Sequence, residues 1–456
     1  MWVIYLDIDS LRPDHLGCYG YGRNTSPNID KLAKDGIRFS RCFTSDSPCM
    51  PSRAALISGM HGIKNGIVTH NRGTFTDQLS TLPFLLRSHR IPSVAVSSFG
   101  RHPSEWFYVG WNQYIDPIDR PELSFQQVDG QQVMNNALEW IDTHRHLPDA
   151  YMHIQMWDPH SVYEAPESFI DLVQNDVYPT HPTPQEFERH LQEDFYHSPR
   201  TVSLNTYDDW KRMIDEYDAE IRYADYQVGR LLSRLEEFRG RQDIMVILAA
   251  DHGEEQGEHG LYIEHWSVHN GTQQIPLIVR DSRRSAHGVP FDGGVLQLDI
   301  AATVCDAFGI TPPERWDSRS LLQQVDDPAS RRTHLVCGHG LYTAQRAVIT
   351  PEWKFIRTYH PGIWSLPAIQ LFRSEDKWEL EEVSEAHHDV VMELDHQLRV
   401  WEEEHRAGID PMMVNAAEGP TGYLPAKRFT DSFRNGTVPP MRYAFTARKP
   451  DPLSHR

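Results

Sequence analysis

The chain has 456 residues, 39% of them hydrophobic, and a formal net charge of −20 at pH 7. That length exceeds what one small core can fill and suits a large α/β domain with a smaller companion, while twelve tryptophans point to a packed, globular chain. The charge argues against nucleic acid or polyanionic surfaces as partners, and no apolar run reaches membrane-spanning length, so no membrane is expected. An anionic ligand would therefore meet a locally positive pocket inside an acidic protein. Five cysteines, at 18, 42, 49, 305 and 337, are an odd number without tight spacing and suit a reducing compartment. The chain opens directly on Met1-Trp2-Val3-Ile4-Tyr5-Leu6, without a basic n-region, and a cytoplasmic protein is expected.

In chain order, residues 2–8 read as a buried strand ending in Asp7-Ile8-Asp9-Ser10. Carboxylates at the C-terminal end of a parallel strand lie where open α/β sheets build their sites. Residues 24–33 form a capped helix start with Pro27, and 37–44 a strand. Next comes Ser47-Pro48-Cys49-Met50-Pro51-Ser52-Arg53-Ala54-Ala55-Leu56, a helix with proline at its start and Gly59 beyond its end. Such a helix points backbone N–H groups and Arg53 toward whatever Cys49 faces, an anion cradle. A thiol phosphatase would need its arginine at position 55, which is Ala55, so the thiolate reading fails.

Thr69-His70-Asn71 follows, then a helix over 80–90 and a strand over 92–99 leading to Gly100-Arg101-His102. A further buried strand over 150–157 ends in Asp158-Pro159-His160. Residues 161–205 lack periodicity and read as a substrate-side insertion. An amphipathic helix over 208–238 precedes a strand over 243–250, which delivers Asp251-His252-Gly253 at its end. Adjacent Asp and His there can reach one ion. His265 and His269 lie in the following loop, then a strand over 275–280 and a helix over 298–308. Beyond about 340 come short antiparallel strands and a helix over 385–405. Residues 408–456 are Pro-rich without periodicity.

Cys49-Met50-Pro51-Ser52-Arg53 with the following Ala54-Ala55-Leu56 resembles the sulfatase signature, and Gly17-Cys18-Tyr19-Gly20 and Ile275-Pro276-Leu277-Ile278-Val279 agree with that family. The resemblance implies an α/β, alkaline phosphatase-like fold: a large mixed, mostly parallel sheet flanked by helices, plus a small antiparallel α+β subdomain. The expected division is a catalytic domain over 1–340, a subdomain over 341–407, and an arm over 408–456 lying on the body, on a second copy in a homo-oligomer, or disordered.

It further implies that a formylglycine-generating enzyme oxidises Cys49 to formylglycine, whose hydrated aldehyde attacks the sulfur of a small anionic sulfate ester. Asp9, residue 49, Asp251 and His252 would hold one divalent ion, calcium first and manganese second. Ser10 stands where the family often has another aspartate, with Asp7 as a candidate substitute. Arg53 would hold developing charge, His160 would protonate the departing alcohol, and His102 would help expel sulfate. Arg101 takes the place of a family lysine, Asn71 that of a substrate-contacting asparagine, and His265, ahead of His269, that of a second lysine. Three rivals remain: a phosphonate monoester or phosphodiester hydrolase, which shares the fold and the aldehyde, a metal-only phosphatase, and an inactive binding protein.

Overall fold

The computed structural model describes residues 1–73, 75, 81–118, 124–193, 204–238, 240–285, 288–437 and 448–454. Its strands are β1 (Trp2–Ile8), β2 (Ile37–Phe43), β3 (Asp46–Ser47), β4 (Ser93–Val96), β5 (Gln113–Ile115), β6 (Ala150–Met156), β7 (Ile244–Ala249), β8 (Glu255–Gln256), β9 (Tyr262–Glu264), β10 (Gln274–Asp281), β11 (Val289–Leu296), β12 (Leu335–His339), β13 (Ala344–Ile349), β14 (Trp353–His360) and β15 (Ile369–Arg373). Eight of them form one sheet in the order β11-β2-β10-β7-β1-β6-β4-β5. Within it β10 alone runs antiparallel to its neighbours.

Every residue of β1, β6 and β7 is buried, as continuous apolar strands covered on both faces must be. Because β1 pairs in parallel with β6 on one side and β7 on the other, their C-terminal ends emerge side by side. β4 extends the same parallel set. Four sequence-distant segments, after residues 8, 96, 156 and 249, are thereby delivered to one edge of the sheet, where such folds place their chemistry.

The 30-residue helix Tyr207–Glu236 starts on a capping box in which Thr206 and Asp209 satisfy each other's backbone N–H groups. It does more than pack. The Tyr217 hydroxyl donates to the Ser10 carbonyl at 2.8 Å and accepts the Arg12 N–H at 3.0 Å, fixing the loop after β1.

The small sheet has the order β15-β14-β13-β12-β3. Two of its strands come from before the expected boundary at 341, and β3 lies directly ahead of Cys49, pairing Asp46 with Gly338 and Ser47 with His339. The second sheet therefore supports the mouth of the signature helix Cys49–Ser58.

Residues 408–437 differ from the extended arm expected. They hold two helices, Pro411–Glu418 and Tyr423–Arg434. The first opens on an Asp410 cap with Pro at its first position, so the prolines mark a helix start rather than its absence. Residues 448–454 lie against the chain's own body: Arg448 pairs with Glu216, and Lys449 with Asp158 and Glu220. The insertion over 161–205 contains the short helices Glu167–Val173 and Pro184–His190. Residues 194–203 of it, and 438–447 and 455–456 of the arm, lie outside the described residues. Among the described residues, no helix is long and apolar enough to cross a membrane.

Gly253 joins the β7 end to the rest of the site loop, and a Cβ there would stand 2.2 Å from the Gly271 carbonyl oxygen. Backbone cannot swing aside as a side chain can. Gly253→Ala should lose about 1–3 kcal/mol of stability in urea denaturation, the range of an overpacked core site.

Candidate active site

Arg53 sits four residues into the signature helix and is fully buried. Its Nε and Nη2 donate to the two oxygens of Asp7 at 2.8 and 2.9 Å, and its Nη1 donates to Asp9 at 3.0 Å and Asp251 at 2.7 Å. The guanidinium plane lies against Phe99, 4.6 Å from the ring centroid. Asp7 also bonds His153 Nε2 at 2.9 Å, and its carboxyl is held below the usual range against the pull of burial by Arg53 and that histidine. Both Asp7 oxygens are thus committed to Arg53.

Asp9, Cys49, Asp251 and His252 each bring a ligand atom within 4.8 Å of the others. His252 Nδ1 lies 2.8 Å from the Gly253 carbonyl, which places the ring proton there and turns the Nε2 lone pair into the group. That Nε2 is 3.1 Å from Cys49 Sγ and 3.3 Å from Asp251. Ser10 brings no carboxylate. Its hydroxyl donates to Asp9 at 2.9 Å and its N–H to Asp251 at 3.2 Å, so it orients two ligands.

The charge balance tests the fit to a cation. Three buried carboxylates face one guanidinium, a surplus of negative charge that a divalent ion would neutralise. Burial already pushes the Asp251 carboxyl up to about 7. The Cys49 thiol, buried beside Asp9 and Asp251, is pushed well above its ordinary value. A thiolate nucleophile is disfavoured in this setting.

A ring of imidazoles closes the site. His265 lies 4.6 Å from His252 between ring centroids and 6.1 Å from His160. His160 Nδ1 bonds the Ser161 carbonyl at 2.5 Å. His102 stacks on Phe99, its Nδ1 has no hydrogen-bond partner, and burial with the nearby Arg53 charge brings it down to about 4. It is a neutral base at pH 7.

The structure thus brings together Asp9, Cys49, Arg53, His102, His160, Asp251, His252 and His265. Two expected substrate contacts are placed elsewhere. Arg101 is 42% exposed and pairs with Asp116 at 2.6 Å, because the carboxylate beyond edge strand β5 holds it at the surface. Asn71 is exposed in a left-handed turn at φ 56°, and its neighbour His70 turns inward, 4.7 Å from His102. His269, the alternative to His265, is buried in a different cluster.

Sequence reasoning passed over His70, His339 and Lys449. His339 bonds Ser47 Oγ at 2.9 Å and is lowered to about 3 by burial. It buttresses the residues ahead of Cys49 from β12, a relation no local motif carries. Lys449 Nζ is seated between Asp158 and Glu220, 291 residues from Asp158 in sequence, and anchors the start of the Asp158-Pro159-His160 turn.

The sulfatase family model matches residues 2–310, more than half the chain. This chain is a member of the sulfatase family. It is an enzyme of the sulfuric ester hydrolase class. The Escherichia coli protein "Uncharacterized sulfatase YidJ" is 22% identical over 358 residues, covering 70% of each chain. An N-acetylglucosamine-6-O-sulfatase of Bacteroides thetaiotaomicron is 19% identical over 454 residues, covering 83% of this chain and 80% of the relative. Among solved structures, BT4656 in complex with D-glucosamine-2-N,6-O-disulfate aligns with a TM-score of 0.74 at 17% identity, covering 90% of this sulfatase and 99% of that chain. The phosphonate monoester hydrolase of Agrobacterium radiobacter aligns at 0.72 and 18% identity, covering 88% and 95%. These likenesses establish the alkaline phosphatase-like α/β architecture.

Arg53→Met should destabilise the metal-stripped protein by about 3–5 kcal/mol, since it leaves three carboxylates buried without their shared cation. Urea denaturation checks this, and Asp7→Asn should cost less because two carboxylates keep their partner.

Proposed function

We propose that this sulfatase hydrolyses a sulfate monoester to alcohol and sulfate, with Cys49 matured by a formylglycine-generating enzyme to formylglycine as the nucleophilic side chain. The observation that carries the reading is the seating of Cys49 Sγ 3.1 Å from His252 Nε2, within the group formed by Asp9, Asp251 and His252. A sulfated sugar is the substrate class we favour, on the relative named for N-acetylglucosamine 6-O-sulfate and the neighbour solved with a disulfated glucosamine.

Asp9, Asp251 and His252 would hold a divalent ion with residue 49 facing it. The carboxylate oxygens favour calcium, and the imidazole makes manganese the alternative. Bound there, the ion would acidify a nearby hydroxyl and offset negative charge. Arg53, locked by Asp7, keeps one N–H group directed at Asp9 and Asp251 and contributes a fixed positive charge. His160, oriented by the Ser161 carbonyl, would give a proton to the departing alcohol oxygen. His102, neutral and with Nδ1 unpartnered, can take a proton from residue 49 as sulfate leaves. His265 would offer a polar contact beside His252, and His70, which turns inward beside His102, would make the substrate contact expected of Asn71. We place the protein in a reducing, cytoplasmic environment, which its five unpaired cysteines support.

Mass spectrometry of the peptide holding residue 49, from protein made with its maturing enzyme, should find CHO in place of CH2–SH. Cys49→Ala should abolish sulfate release from aryl and sugar sulfates. Turnover retained by Cys49→Ala would overturn the reading in favour of a metal-only phosphatase. His160→Ala should lower kcat by about 10²–10⁴-fold, with a smaller loss on aryl sulfates, whose leaving group needs less protonation.

A second reading, a phosphonate monoester or phosphodiester hydrolase, is favoured by His252 at the metal group and by the fold shared with the Agrobacterium enzyme. Comparing kcat/KM for a phenyl phosphonate monoester and an aryl sulfate on the matured enzyme separates the two. A sulfate preference is expected.

A further inference from the structure

A second group of ligating side chains lies where the site loop meets the small sheet. His259, His269 and Glu379 each bring a ligand atom within 4.8 Å of the others. The two imidazole rings face one another with centroids 4.1 Å apart at 30°. Nε2 of His259 and Nε2 of His269 are both buried without a hydrogen-bond partner. His269 and Glu379 are 1% and 2% exposed. One orphaned buried nitrogen is costly; two that share a cavity with a carboxylate need a common explanation.

The surroundings prepare these nitrogens as ligands. His269 Nδ1 bonds Ser267 Oγ at 2.7 Å, and that hydroxyl donates to Glu255 Oε1 at 2.8 Å. The ring proton therefore belongs on Nδ1, and Nε2 keeps its lone pair, the support that metal-bound histidines receive. Burial lowers both imidazoles, so neither needs to shed a proton to bind a cation. Glu379 accepts the Asn270 N–H on Oε2 at 2.7 Å and faces Lys354 Nζ through Oε1 at 2.6 Å. Lys354 also donates to Asn270 Oδ1 at 2.9 Å, a bond it can keep if Oε1 turns to an ion. Gln370 stands beside His269 as a weak hydrogen-bonding neighbour that acts to raise its imidazole, and Gln370 Oε1 is otherwise unpartnered.

We propose that His259, His269 and Glu379 form a second metal site, distinct from the group around Cys49, for a borderline divalent ion of the zinc type. Two imidazoles and one carboxylate are a zinc donor set with one position left open. A single carboxylate beside an ammonium suits calcium and magnesium poorly, since both seek several oxygens. The open side faces a cavity of about 230 Å³ lined by Arg12, Arg38, Glu258, Lys377 and Trp378, which can hold a water or a small anion as fourth ligand. His259 and His269 flank the loop that carries His265, and Glu379 follows β15. An ion here ties the catalytic loop to the small sheet, whatever reaction the Cys49 site performs.

The test uses full-length protein, stripped of metal, equilibrated with Zn2+ or Co2+ and desalted, with bound metal counted by mass spectrometry. Asp251→Asn is the background, because it removes a ligand from the other group. Asp251→Asn should retain one more zinc ion per chain than the double variant Asp251→Asn/His269→Gln. Its cobalt form should show the visible absorption of a four-coordinate site, and the double variant should not. Zinc should also raise the Tm of Asp251→Asn, a readout that needs no change at the proposed ligands. His259→Gln and Glu379→Gln serve in place of His269→Gln if circular dichroism shows that variant unfolded. Equal zinc counts in the single and double variants overturn the site, as does an Asp251→Asn protein that neither retains zinc nor gains Tm with it. Zinc held by the cysteine thiols would survive the His269 change and so counts against the proposal.

Discussion

The arrangement around Cys49 depends on one buried guanidinium. Arg53 is reached by carboxylates from two strands, Asp7 and Asp9 at the end of β1 and Asp251 at the end of β7, and it stands on the helix that Cys49 opens. Burying that many charges is unfavourable unless each is paired and hydrogen-bonded. The pairing fixes the helix against the sheet edge to within hydrogen-bond tolerance. It also divides labour among the carboxylates. Asp7 is committed to orienting Arg53, whereas Asp9 and Asp251 each give it only one oxygen. The surplus negative charge makes the pocket receptive to a cation.

Around this polar knot the imidazoles work by being neutral. His102, His265 and His339 are all lowered by burial, with nearby positive or histidine groups acting in the same direction. A neutral ring can accept a proton or offer a lone pair, and which nitrogen does so is set by what the other one touches. Gly253 fixes His252, Ser161 fixes His160, and Ser267 fixes His269. Backbone carbonyls and one hydroxyl thus assign roles among side chains of the same type.

The second sheet and the C-terminal segment are part of this construction. β3 hands the chain from the small sheet to Cys49, and His339 braces it through Ser47. Lys449 pairs with both Asp158 and Glu220 where the turn toward His160 begins. Residues near the end of the sequence therefore position groups near its beginning.

The signature around Cys49, the strand-end carboxylates and the strand-end histidines were legible in the sequence because each rests on local rules: apolar runs make buried strands, proline and glycine bound a helix, and chemistry collects where parallel strands end. Asp9, Cys49, Arg53, His160, Asp251 and His252 could be named from those rules together with the family resemblance. The helices at Pro411–Glu418 and Tyr423–Arg434 escaped because the first is only two turns long and the second, though amphipathic, has no side-chain cap to mark its start. Arg101 and Asn71 were placed by position in a motif, but which way a side chain turns depends on neighbours such as Asp116 and His102 that arrive from elsewhere. The pairing of β1 between β6 and β7, the commitment of Asp7 to Arg53, the meeting of Lys449 with Asp158, and the facing rings of His259 and His269 were decided only by tertiary structure. Local sequence sets what a segment can form. Contacts between distant segments are set by how the whole chain buries its apolar surface, and then its charges.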